Sequence, residues 1–298
     1  MDQLSKIIRL ARLEGVVDVR CLLAGSFESH HPAAVSGEVP FHLVLEGRCR
    51  ITTGGRTVDL APGDLVLLPH GEAHRVTAAG DLGRPMTERA GESFATRRSV
   101  GAGPELDLFC GHYRHQGAAG ALMFRLLPPL LHVSLDRAAL TLAEVLRDEA
   151  QRDGPGTGAI VAGVLDAVLA MALRSRPEQR LGTPALWTAM GDDVLGRVIA
   201  GVVERPAEPW TTVRLAAAAA MSRATFNRRF TARTGTTVAT LLTAIRMMNS
   251  ADLLTSTDLS VDRVANEVGY RSGSAFGQAF KAALGTSPAR YRRVMSQM

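Results

Sequence analysis

Residues 269–293 read GYRSGSAFGQAFKAALGTSPARYRR, a basic stretch with Phe276 and Phe280 four residues apart and a glycine just beyond them. A second copy lies fifty residues upstream in SRATFNRRFTARTGTTV, which begins at Ser222. At that offset Ser222 meets Ser272, Phe226 meets Phe276, Phe230 meets Phe280, Gly235 meets Gly285 and Val238 meets Pro288. Further upstream LAAAAAMS, from Leu215, matches VANEVGYRS, from Val264, with one extra residue in the later copy. Each copy predicts a helix, a tight turn, a second helix and a glycine stop. That is a helix-turn-helix, present twice.

The residue types fit that chemistry. Ser222 and Ser272 stand where a side-chain oxygen can take up free N–H groups at a helix start. The Phe pairs at i and i+4 form an inward stripe. Arg223, Thr225, Asn227, Arg228 and Arg229 then fall on the outward face of the first recognition helix, a set able to contact base edges and phosphates. The second helix offers a sparser set, Ser274, Gln278 and Lys281. Between the units, ATLLTAIRMMNSADLLTST predicts a long helix that holds them apart and carries Arg246 as a further candidate DNA contact. Recognition helices about 34 Å apart would enter successive major grooves of double-stranded DNA. A plain helical bundle with a solvated basic face explains one such pattern, but not two copies at a fixed spacing.

Charge divides the chain in the same way. From Arg205 onward 13 lysines and arginines face 5 acids, a net +8, while the first 204 residues carry 21 against 24, a net −3. All eight histidines lie at or before His132. Two parts with two tasks follow, and 298 residues suffice for both. No apolar run approaches the roughly 20 residues needed to span a bilayer. The charged N-terminus MDQLSKIIRLARLEG lacks a signal-peptide core, so a cytoplasmic protein away from membranes is expected. Three cysteines, Cys21, Cys49 and Cys110, are too few and odd in number for a secreted disulfide framework.

The front reads as short strands, with FHLVLEG, CRITT and GDLVLLP separated by turns such as TTGGRT and LAPGD, which predicts a barrel or sandwich. Two helices follow. The second, IVAGVLDAVLAMALRSR, carries two apolar stripes, Ile160/Val164/Val168/Met171 and Val161/Leu165/Leu169. One stripe could pack on its own barrel and the other on a second subunit, giving a homodimer; a helix merely buried on two sides is the alternative. The fold class is therefore α+β in two domains. Residues 1–180 form a cupin-type β-barrel followed by helices, 181–192 a linker, and 193–298 an all-α double helix-turn-helix domain.

The tail resembles the DNA-binding domain of AraC/XylS-type transcription regulators. LAAAAAMSRATFNRRF resembles that family's first unit, IRMMNSADLL its linker helix, and VANEVGYRSGSAFGQAFKAALGTSPARYRR its second unit. The family often has a basic residue where this chain has Gln278, which implies weaker binding by the second helix. In the front, GDLVLLPHGEAH (Gly63, Pro69, Gly71, His74) resembles the second cupin motif. The first motif is degraded. In one register Pro40, His42 and Glu46 keep its spacing with one histidine lost. In the other, Glu46 is only part of the turn at Leu45–Gly47, and that register is preferred. A complete catalytic metal site is therefore not expected. The resemblance implies a regulator, with RNA polymerase as partner if it activates. The competing reading is a cupin metalloenzyme, an isomerase or dioxygenase, with an accessory DNA-binding tail.

Cys21, His42, His74 and Cys110 are the sensor candidates. Early and late strands of such a barrel lie close together, so two thiols and two imidazoles could make a closed Zn²⁺ site. Alternatively Cys21 and Cys110 form a redox pair, or the cysteines act only as small apolar residues. His112 is the reserve ligand and Cys49 a structural thiol. His30 and His31 are expected to be solvated in a loop. The same four residues resemble a branch of AraC-type regulators that includes sensors of reactive chlorine species. The effector is thus an oxidant, a metal or a small molecule.

Overall fold

The computed structural model describes residues 2–80, 83–101, 103–115, 118–174, 189–190 and 192–295. The expected linker at 181–192 falls almost wholly outside these. The chain forms two compact units: 13–114 with 129–180, and 1–12 with 115–128 and 181–298.

The first unit is built from two sheets. Strands β1 (Leu13–Leu23), β2 (Phe27–His31), β3 (Glu38–Glu46), β4 (Cys49–Thr53), β5 (Arg56–Leu60), β6 (Asp64–Leu67), β7 (His74–Ala78), β8 (Met86–Arg89), β9 (Ala95–Ser99), β10 (Leu106–His115) and β11 (Leu131–Ser134) follow in order. One sheet runs β11-β6-β3-β10-β1-β9-β8 and the other β2-β7-β4-β5. Inward residues of both meet in one core, with Val44, Val66 and Leu108 against Ile51, Val58 and Val76. This is the sandwich-like barrel expected from the short alternating strands. Crossing the sheet places β1 beside both β10 and β9. Sequence-distant residues of the early and late strands therefore become neighbours.

Helices α3 (Arg137–Arg152) and α4 (Thr157–Arg174) complete this unit. The Asp136 carboxylate accepts the Ala139 N–H and starts α3. On α4 both apolar stripes turn inward: Val161, Val164, Leu165, Val168 and Leu169 are all buried. The Tyr113 hydroxyl donates to the Leu165 carbonyl at 2.7 Å and holds α4 to the sheet. The expected second free stripe is therefore not presented. Its most exposed remnant is Ile160, 43% exposed. Helix α4 is long and apolar enough to cross a bilayer, with mean hydropathy 1.7, and 44% of it is buried within its own unit.

The other unit gathers α1 (Gln3–Ala11) and α2 (Ala118–Arg125) with the C-terminal helices. These are α5 (Leu195–Glu204), α6 (Thr212–Ala218), α7 (Arg223–Thr234), α8 (Val238–Ser256), α9 (Val261–Glu267), α10 (Gly273–Leu284) and α11 (Pro288–Met295). Long α8 is the hub, packed by α1, α2, α5, α7, α9, α10 and α11. Arg12 donates to Asp252 and Thr255 of α8 at 3.3 and 2.9 Å, fastening the end of α1. Helices α1 and α2, read from sequence as part of a 1–180 domain, thus pack with the helix-turn-helix units.

Candidate functional site

The two helix-turn-helix units repeat down to single hydrogen bonds. Ser222 accepts the Thr225 N–H and Ser272 the Ala275 N–H, opening α7 and α10. Gly235 and Gly285 close them in left-handed conformation, at φ 70° and 72°. Phe226 and Phe230 lie with ring centres 5.7 Å apart, Phe276 and Phe280 5.6 Å, and all four are buried. The entry helices share the pattern: Thr211 caps α6 and Ser260 caps α9. The one extra residue of the second copy is in the turn, where Tyr270-Arg271 replaces Met221.

With the phenylalanines inward, Arg223, Asn227 and Arg228 are exposed on α7, and Ser274, Gln278 and Lys281 on α10. Arg223, Arg228 and Lys281 have no acidic partner among the described residues, so their charges remain available. Thr225 is half-buried and its hydroxyl accepts from Ser222. Arg229 is engaged by Asp192 at 3.0 Å. Arg246 is not placed as its expected role as a DNA contact requires. Its guanidinium donates to the Pro206 and Glu208 carbonyls at 2.9 and 3.0 Å and lies over Tyr270. It clamps the 206–208 segment rather than facing outward. Two positions sharpen the expected weakness of the second helix: where α7 presents Arg223 and Asn227, α10 has Gly273 and Gly277.

The barrel interior holds a chain of polar groups. His42 Nδ1 lies 3.2 Å from Cys110 Sγ, and His42 Nε2 lies 2.8 Å from His74 Nε2. His74 Nδ1 donates to the Glu72 carbonyl at 3.0 Å. That carbonyl can only accept, so one proton arrangement satisfies the chain. The His42 Nε2–H donates to His74 Nε2, and the Cys110 S–H donates to His42 Nδ1. His31 completes the group. Its ring stacks on His74 at 4.6 Å, and the ligand nitrogens of His31, His42 and His74 all lie within 4.8 Å of one another. Burial lowers all three imidazoles, His31 to about 4 and His42 well below its usual range, with mutual repulsion adding to both. Neutral imidazole is the form that ligates metal.

The metal candidates are thus regrouped. Cys21 and Cys110 do not join His42 and His74 in the cluster, whereas His31 does. The sequence alone puts His31 in a loop. The strand FESHH instead turns Glu28 and His30 outward and His31 toward the barrel. Two adjacent histidines, one of them inward, were the only signal. His112 is also elsewhere, held by Asp18 at 3.0 Å and Glu38 at 3.5 Å. Glu46 ends β3 with its side chain 66% exposed, outside the cluster.

The thiols form a pair of their own. The neighbouring Cys110 is the main cause lowering Cys21, with Arg97 adding to it, while Cys21 and burial push Cys110 well up. Cys49 is pushed up to about 12 by burial and stays inert. Arg97 was not foreseen. The β1–β9 register sets it opposite Cys21 and the β8–β9 register sets it opposite Glu88, which binds it at 2.7 and 3.0 Å. Cys21, Cys110, Arg97 and His31 line one small cavity.

A cupin family model matches residues 2–176, and a helix-turn-helix domain model matches residues 215–294. The chain is an AraC-type transcription regulator with a cupin domain. It is 31% identical over 300 residues to the HTH-type transcriptional regulator MtrA of Neisseria gonorrhoeae, covering 98% of each chain. It is 30% identical to an uncharacterized HTH-type transcriptional regulator of Haemophilus influenzae, covering 99% of this chain and all of the other. It is 27% identical over 304 residues to the RCS-specific HTH-type transcriptional activator RclR of Escherichia coli, covering all of this chain and 99% of that one. These relatives are named as regulators of transcription, not as enzymes. The chain is thus a DNA-binding regulator of a type that binds double-stranded DNA.

Proposed function

We infer that the cupin domain is an oxidant sensor that controls DNA binding in the cytoplasm. The carrying observation is geometric: Cys21, Cys110 and Arg97 line one small cavity, and Cys110 Sγ lies 3.2 Å from His42 Nδ1. Cys21 is the attacking thiolate and Cys110 the resolving thiol. With hypochlorous acid, the Cys21 thiolate takes chlorine from oxygen and releases hydroxide. The Cys110 thiol then displaces chloride from the sulfenyl chloride, leaving a disulfide and a proton. Two sulfurs lose one electron each, and the chlorine receives both. The likeness to a relative named for reactive chlorine species supports this choice of oxidant.

The donor set of His31, His42 and His74 suits Zn²⁺, a borderline ion that accepts three imidazoles. When bound, the ion supplies a fixed positive charge beside the thiol pair. The residues do the rest: His74 is oriented by the Glu72 carbonyl, and His42 joins the cluster to Cys110.

Chain connectivity supports the coupling to DNA. Cys21 lies on β1, which leads directly out of α1, and Cys110 lies on β10, which leads directly into α2. Both helices pack on α8 among the DNA-binding helices. Activation would bring RNA polymerase as partner.

The test is metal content and free-thiol count of the purified protein before and after a brief hypochlorite dose. The expected result is one zinc per chain, the loss of two thiols assigned to Cys21 and Cys110, and a changed operator affinity. A Cys110→Ser variant with a full response would overturn the disulfide. Absence of zinc, with the thiol response intact, would remove the metal alone.

A further inference from the structure

The sheet face opposite the thiols carries a separate feature. In β1, β9 and β8 the register puts Arg20 beside Thr96 and Thr96 beside Arg89, and puts Leu22 beside Arg98 and Arg98 beside Thr87. Two cross-strand rows therefore interleave arginines with threonine hydroxyls on one surface. The residues between them, Cys21, Arg97 and Glu88, point to the other side, as the two-residue period of a strand requires. The end of α3 forms a wall over the rows, and between them lies a cleft of about 510 Å³. That volume suits a small metabolite.

The charges in the cleft do not cancel. Arg20 is committed to Asp107 through two bonds, at 2.7 and 2.9 Å, and Arg152 to Glu149. The one carboxylate in the lining, Asp153, spends both oxygens on the Glu92 and Ser93 backbone N–H groups, holding the 91–94 turn. Arg89 and Arg98 are left exposed, with no acidic partner among the described residues. The C-terminal end of α3 carries partial negative charge, but Arg152 already stands there to meet it. A front half that is acidic overall has thus collected arginines where a walled cleft and hydroxyl donors also meet. Planar guanidinium forks and hydroxyls are the donors that recognise phosphate and carboxylate oxygens.

We propose that this cleft binds a small polyanion carrying phosphate or carboxylate groups, held by Arg89 and Arg98 with Thr87 and Thr96. The site stands apart from the thiols and histidines and does not depend on the oxidant reading. Calorimetry on the full-length protein tests it, with pyrophosphate and citrate titrated separately at constant ionic strength against a chloride control. Saturable binding of about one equivalent below about 1 mM is expected for at least one probe, and the better probe identifies the source class. Arg89→Gln with Arg98→Gln should weaken it at least about tenfold. Both side chains are exposed, so an unchanged circular dichroism spectrum should accompany that loss. Arg223→Ala with Arg228→Ala, on the DNA face, should leave the binding intact. No saturable binding of either probe, or binding kept by the Arg89/Arg98 pair and lost with Arg223/Arg228, would overturn the site.

Discussion

The two helix-turn-helix turns differ at one backbone position, and that difference sets a measurable asymmetry. Ala220 and Gly269 occupy the same place in the repeat, and both are left-handed, at φ 53° and 85°. A side chain in that region costs roughly 1–2 kcal/mol. Gly269→Ala adds more. Its Cβ would lie 2.7 Å from the Ala207 carbonyl oxygen, 2.8 Å from the Ala207 Cα and 2.8 Å from Arg246 Nη2. Two of these atoms are backbone and cannot swing aside. The third belongs to the guanidinium that clamps the Pro206 and Glu208 carbonyls, and a hydrogen bond to a charged group is worth about 1.5–3 kcal/mol. Gly269→Ala should therefore cost about 3–4 kcal/mol. Ala220→Gly should gain up to about 1 kcal/mol, because relief of strain exceeds the added chain entropy. The chain has two compact units, so one melting temperature is ill-defined. Hydrogen exchange resolved to peptides is the proper assay. Gly269→Ala should raise exchange in α9 and α10, Ala220→Gly should lower it in α6 and α7, and the barrel should be unmoved. Exchange in α10 within about 1 kcal/mol of wild type would refute the steric reasoning.

At the DNA face, Arg223→Ala and Asn227→Ala should each cost about 1–3 kcal/mol of operator affinity and relax preference at one base pair, whereas a uniform loss across sequences would mark phosphate contacts. Arg246→Ala should instead leave the salt slope of binding unchanged, because its charge is turned inward. His112 is raised chiefly by its hydrogen bond to Asp18, with Glu38 adding to it and Arg114 opposing. Its contribution is full below the unfolded value of about 6.5 and is lost as pH rises through the folded value, so chemical unfolding of wild type against His112→Asn should show the advantage shrinking above pH 7. Mass spectrometry of iodoacetamide labelling should find Cys21 modified before Cys49, and Cys110→Ala should slow Cys21.

The tail was legible because a repeat supplies its own control. Serine caps, paired phenylalanines and glycine stops recur at one offset, and each constrains a different bond. The second cupin motif was legible for a similar reason, since Gly63 and Gly71 both adopt positive φ where its turns need them. What failed was what depends on three dimensions. Arg246 looked like any arginine on a long helix, and nothing local shows that the carbonyls of Pro206 and Glu208 lie beside it. His31 was hidden because FESHH is too short to fix its alternation. Arg97 came to Cys21 only through a parallel register between strands more than seventy residues apart. The stripes on α4 were read correctly as apolar, but periodicity cannot say that one unit buries both. Helices α1 and α2 flank the barrel strands in sequence, so their packing on α8 could not be read from order along the chain.

Gly277 carries the remaining argument about the second recognition helix. A glycine inside a helix costs about 1 kcal/mol relative to alanine, and here nothing in the folded unit requires it. A Cβ at Gly277 would meet no atom within 4 Å among the described residues, and the backbone is ordinary helix. Its counterpart in α7 is the exposed Asn227. Space that is open in the free protein but kept clear of a side chain is what close approach of a partner's backbone requires. Gly277→Ala should therefore stabilise α10 by about 0.5–1 kcal/mol in hydrogen exchange and yet weaken operator binding. The opposite signs matter, because a purely structural glycine would move both quantities together. Unchanged or tighter operator binding would mean that α10 touches DNA only through its longer side chains, Gln278 and Lys281, and that base reading falls to Arg223 and Asn227 of α7 alone.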